Sequence, residues 1–262
     1  VNTSMFYIDG GTLKLTNGTT VQKTKANLSS TDNVFSVSGL NVNELKCGGA
    51  IWIKNGSVIL DNSTITDSKA TLNGGAIYQE NGTIEISNNS TIQNCSATNG
   101  LGGAIYSVGG SIVIDENSII SQNNAKKGGA ICVENGGQLK ASGVVFEGNR
   151  SSEDGGALDL NSTPKADKTN NYEIIGCTFS NNSAKNGGAI CVENGKLSIH
   201  SNTSFQNNNA TMYGGAIAVI KEAEVESRGI TFQSNYAENG GACYFDSTGE
   251  VTISSTIFTG NG

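Results

Sequence analysis

Gly187-Gly188-Ala189-Ile190-Cys191-Val192-Glu193-Asn194-Gly195-Lys196-Leu197-Ser198-Ile199-His200, followed by Ser204-Phe205-Gln206-Asn207-Asn208, is the stretch that decides the fold. Ala189 to Val192 alternate by twos, and so do Lys196 to Ile199, which is the period of a strand and not of a helix. Asn194-Gly195 between them tolerates positive φ and reads as a turn. Ser201-Asn202 makes a polar corner, and the Phe205 segment closes the unit before Ala210. Three short strands in so short a span bury nothing by themselves. Stacked on copies of the unit, each strand pairs in parallel with its counterpart, which gives one coil per repeat.

The copies are present. Gly-Gly-Ala begins at Gly48, Gly74, Gly102, Gly128, Gly155, Gly187, Gly214 and Gly240, at spacings of 26, 28, 26, 27, 32, 27 and 26 residues. Phe-x-x-Asn runs in phase with it at Phe146–Asn149, Phe179–Asn182, Phe205–Asn208, Phe232–Asn235 and Phe258–Asn261. Earlier copies place Ile in the Phe slot, at Ile65–Ser68, Ile92–Cys95 and Ile120–Asn123. The expected fold is all-β: a right-handed parallel β-helix of about 26–27 residues per coil, right-handed because parallel crossovers overwhelmingly are.

Composition agrees. The 262 residues include 35 Gly and 33 Asn but one Pro, one Trp and one His, which is wrong for a helical protein. A net charge of -7, with 16 Lys and Arg spread thinly, provides no basic stripe for nucleic acid. No apolar run approaches the roughly 18–20 residues that span a bilayer, so no membrane insertion by this segment is expected. Residues 1–47 read as irregular N-terminal coils or a cap, and 48–262 as the eight-repeat β-helix. The long spacing marks an insertion near Asn161–Asn171, which holds Pro164 and should project as a loop. The chain opens without Met and stops directly after a Phe-x-x-Asn, so it is expected to continue in the natural protein.

Stacking assigns roles to the repeated residues. Ile51, Ile77, Ile105, Ile131, Leu158, Ile190 and Ile217 form an inward column, and Phe146 to Phe258 stack in the core beside it. The paired glycines suit a bend that needs positive φ or close approach between coils. Asn123, Asn149, Asn182, Asn208, Asn235 and Asn261 are placed to form a ladder of side-chain amides. Alternation sends Trp52, Tyr78 and Tyr106 outward on three consecutive coils, an aromatic strip that either shields the parallel strands by stacking on itself or contacts a partner. Cys132 and Cys191 share that slot two coils apart, too far for a disulfide, and mostly or entirely free thiols are expected.

Alternating Gly-Gly-Ala-Ile and Phe-x-x-Asn resembles the repeats of chlamydial-type polymorphic outer membrane proteins, from Gly48 to Gly262. The departures are the three Ile-filled slots and the lack of a membrane barrel within these residues. The resemblance implies the β-helical passenger of an autotransporter-like adhesin, at the cell surface or secreted. Its partners would be a host-cell receptor or glycan, or copies of itself.

The rival class is a carbohydrate-active β-helix, a polysaccharide lyase or hydrolase, which needs clustered carboxylates. The best column here is Glu80, Glu134, Glu193 and Asp246, interrupted by Val108, Asn161 and Ile220, with Lys54 its one basic member. It reads as solvated surface charge. His200 stands without ligand-type neighbours at suitable spacing and reads as structural. No catalytic residue, cofactor or metal is assigned, and the chain reads as an adhesin or stalk rather than an enzyme.

Overall fold

The computed structural model describes residues 4–22, 25–26, 47–162, 171–200 and 202–262. Among these the regular structure is all strand, in parallel sheets of 16, 9 and 7 strands that wind into a β-solenoid. The repeat register is the one read from the sequence: Ile51 faces Ile77, then Ile105, Ile131, Leu158, Ile190 and Ile217 in succession. All seven are buried. The two ladders of the largest sheet are continuous in the strand Ile51–Asp61 and separate on later coils.

Within the N-terminal segment, Phe6–Leu15 pairs in parallel with Ile51–Asp61, with register shifts around Asp9, so this part is itself a coil. Residues 27–46, where the rest of the expected cap falls, lie outside the described residues, as does the core of the insertion at 163–170.

The two glycines of each pair do different things. The first, from Gly48 to Gly240, has φ between +56° and +70°, a region that a side chain disfavours. The second is constrained by its neighbour instead. A Cβ on Gly188 would stand 2.1 Å from the carbonyl oxygen of Gly215, and the same contact recurs from coil to coil. The following Ala189, like Ala157 and Ala216, is fully buried.

The second sheet carries the Phe column and ends at the Asn column. Phe146, Phe179, Phe205, Phe232 and Phe258 stack with centroids 4.7–4.9 Å apart and planes within 15°. That spacing is the inter-strand distance of about 4.8 Å, so the sheet itself sets the stack. Each Asn Nδ2 donates to Oδ1 of the next: Asn123 to Asn149, Asn149 to Asn182, Asn182 to Asn208, Asn208 to Asn235 and Asn235 to Asn261, at 2.9–3.1 Å. The same oxygen also accepts the preceding backbone N–H, as from Asn149 to Asn182 at 2.9 Å. Nδ2 spends its second proton on the preceding coil, as Asn182 does on the Phe146 carbonyl at 3.0 Å. Below Asn123 the slot passes to Cys95, whose N–H donates to Asn123 Oδ1.

Candidate functional site

The file predicted to face outward is continuous: Trp52, Tyr78, Tyr106, Cys132, Asp159, Cys191, Ala218 and Tyr244 pair rung to rung. It does lie on the far side of the sheet from the Ile column, but it is not an open strip. Trp52 is 3% and Tyr106 6% exposed, and only Tyr78 of the three is half-buried. The expectation of three solvent-facing aromatics is therefore corrected. At one rung the cover is visible directly: Tyr213, at the end of the strand Asn209–Tyr213, stacks on Tyr244 at 4.4 Å.

The aromatic rings also close on one another. Tyr7 meets Trp52 edge-on at 4.9 Å, Trp52 meets Tyr78 at 6.0 Å, and Tyr78 stacks on Tyr106 at 5.5 Å. Their polar ends are satisfied by the carboxylate column of the next coil. Trp52 Nε1 donates to Glu80 at 3.1 Å and the Tyr106 hydroxyl to Glu134 at 2.5 Å. Burial, reinforced by the Glu134 carboxylate, pushes the Tyr106 phenol above its ordinary range. A cleft remains open beside Tyr78, walled by Glu80, Asn81, Val108, Asn135 and Gly136.

The carboxylate column breaks at Glu193, which is buried and not a solvated surface charge as the sequence suggests. Its cause is a register shift. Leu160 pairs with Val192 but Asn161 pairs with Asn194, leaving Glu193 as the extra residue of a bulge. Asn194 then bonds Asn161 at 2.7 Å in the place Glu193 would have taken. Released from the column, the Glu193 carboxylate meets Asp159 on the strand Leu158–Asn161 and Asp154 in the turn before Gly155. One oxygen from each lies within 4.8 Å of the others.

Lysines answer these charges. Lys127 Nζ stands 2.7 Å from Asp154 Oδ2 and 2.6 Å from Glu193 Oε1, and Lys221 pairs with Glu193 Oε2 at the rim. Asp159 is fully buried. Its Oδ2 accepts from the Cys132 thiol at 3.4 Å, and Oδ1 has no hydrogen-bond partner. Burial pushes the Asp159 carboxyl well above the usual carboxylate range, against the pull of Lys127. Burial also works against the Lys127 ammonium, yet the surrounding carboxyl groups outweigh it and hold its pKa above normal. Cys132 and Cys191, on either side of Asp159, are buried thiols pushed upward by desolvation.

Sequence reasoning missed this cluster. One signal was available, because Asp159 is the charged member of a file otherwise made of aromatic, Cys and Ala residues. Asp246 belongs to the exposed strand Cys243–Ser247, and Lys54 pairs with Asp9 at 3.1 Å. His200 is half-buried and lines a shallow groove with Lys140 and Glu173, so it joins neither site.

Residues 83–108, 111–134, 143–160, 176–193, 202–219 and 229–246 match the Chlamydia polymorphic membrane protein repeat. A Chlamydia pneumoniae relative described as "Probable outer membrane protein pmp7" is 34% identical over 143 residues. That region is 49% of this chain and 14% of the relative's length. No solved structure matches.

Proposed function

Because the chain belongs to the polymorphic membrane protein repeat family, whose place is the outer-membrane surface, we propose that this solenoid is a displayed passenger that mediates attachment. Its partner is a host-cell receptor or glycan, or another copy of the same surface. The observation that carries this reading is the cleft at Tyr78. There a half-buried ring borders Glu80, Asn81 and Asn135, pairing an apolar face with polar groups that fix orientation. Catalysis has less support. Glu80 and Glu134 accept hydrogen bonds from Trp52 and Tyr106, and Glu193 is enclosed between two lysines.

The test is binding of the purified chain to host cells, and its self-association by sedimentation, for the parent and for Tyr78→Ser combined with Asn81→Ala. The expected result is a loss of binding or of self-association of at least about tenfold with an unchanged β-sheet spectrum, as for an aromatic hot spot. Parental attachment and association by the folded variant would overturn the assignment of this cleft.

A further inference from the structure

The cluster of Lys127, Asp154, Asp159 and Glu193 holds more acceptors than donors. Asp159 Oδ1 is buried without a partner. Asn186 Nδ2 donates to Asp154 Oδ1 at 2.8 Å, which leaves Asp154 Oδ2 to Lys127. Acceptor oxygens left over in a buried acidic site are what a hard cation satisfies, since it takes oxygens only and takes many of them.

We propose that Asp154, Asp159 and Glu193 form a calcium site in which the Lys127 ammonium holds the ion's place, and that calcium enters by displacing this ammonium toward solvent.

Distances fit the exchange. Lys127 Nζ stands 2.7 and 2.6 Å from its two carboxylate oxygens, and calcium–oxygen bonds of roughly 2.3–2.6 Å need only a slight contraction. The third carboxyl is already within 4.8 Å of both. Charge fits as well. Calcium together with Lys221 balances three carboxylates in full. The donors are preorganised, because they come from a turn, a strand and a bulge fixed on adjoining coils. Lys127 can leave, because its side chain is 24% exposed at the end of a flexible stem. The donor set is all oxygen, which favours calcium over zinc or copper.

The test compares thermal unfolding and calcorimetric calcium titration of the parent chain, Lys127→Met and Asp159→Asn, each first stripped with a chelator. Asp159→Asn preserves shape and removes one anionic ligand, so it weakens calcium binding at least about tenfold. Lys127→Met removes the competing ammonium and tightens binding by at least about tenfold. Stripped, Lys127→Met melts below the parent because Asp154 loses its ammonium partner and Glu193 keeps only Lys221, and millimolar calcium restores it. Magnesium chloride at equal ionic strength separates this rescue from charge screening. If calcium neither binds the parent nor rescues Lys127→Met beyond the magnesium control, the site is a lysine-bridged acidic cluster and the proposal fails. Equal calcium affinity in the parent and Asp159→Asn would also overturn it.

Discussion

Asn182 and Asn208, one coil apart, are joined by a 3.0 Å hydrogen bond from Nδ2 to Oδ1, and the same Asn208 oxygen accepts the Asn182 backbone N–H at 3.1 Å. One side chain thus satisfies two donors of its neighbour while both residues are buried. Asn182→Ala leaves the Asn149 backbone N–H and one of the two Asn149 amide protons without a partner and removes the bond to the Phe146 carbonyl. A loss of about 3 kcal/mol or more is expected from chemical denaturation. Asn182→Asp keeps the acceptor and removes both amide donors, so it should be no better tolerated. A near-parental midpoint for Asn182→Asp would show that the donors contribute nothing.

Steric necessity at the paired glycines can be separated from conformational preference. Gly188→Ala would bring a methyl group to 2.1 Å from the Gly215 carbonyl, and the backbone of two coils must move. The expected cost exceeds about 3 kcal/mol. Gly10→Ala, at φ +98° with no atom within 4 Å of the added carbon, carries only a backbone cost of about 1–2 kcal/mol. Comparable melting points for the two variants would remove the close-approach argument.

Asp159 makes stability depend on pH in the reverse of the usual carboxylate sense. Its folded-state pKa lies well above the ordinary value of 3.8, so the folded chain holds this proton more tightly than the unfolded chain. The stabilisation is complete below about pH 4 and is progressively lost as pH rises towards the folded pKa. In chelator-treated protein, the melting temperature of the parent minus that of Asp159→Asn should therefore fall from pH 4 to pH 7. A flat or rising difference would contradict the assignment.

Burial also fixes the reactivity of the thiols. Cys132 and Cys191 are enclosed and their pKa values lie above the free-thiol range, so thiolate is scarce and inaccessible at neutral pH. Alkylation at these two positions, followed by peptide mapping, should be negligible in the native chain and complete in denaturant. Labelling of native protein at either position within minutes would show that the cover over this face opens readily.

Legibility in the sequence followed periodicity. The Ile, Phe and Asn columns were readable because each rests on residues in fixed phase, and the parallel register turns phase into contact. The aromatic strip is covered where open rings are expected, because alternation reports which side of a sheet a residue occupies, not whether something covers that side. Trp52 and Tyr106 are on the expected side, under an outer layer that period-two reasoning does not contain. The acidic cluster was hidden by a single extra residue. At an unbroken register Glu193 would continue the column of Glu80 and Glu134, and the bulge after Val192 brings it to Asp159 and Asp154 instead. Asp154 and Lys127 precede the glycine pairs, in a slot filled elsewhere by Asn73, Leu101 and Tyr213, so no repeated chemistry marked them.

The amide ladder has a direction. From Asn123 to Asn235 every side chain gives one amide proton to the oxygen of the next Asn toward the C-terminus, and from Asn149 to Asn261 each oxygen receives from the Asn before it. The Asn slot of each rung is therefore two-faced: toward the C-terminus it offers a backbone and an amide N–H, and looking back it offers one oxygen able to take both, beside a second amide proton for the earlier carbonyl. A coil added on the C-terminal side finds its donors already aimed, whereas one added on the other side must bring its own. The column is thus polar along the solenoid axis, and its two ends present different hydrogen-bonding groups.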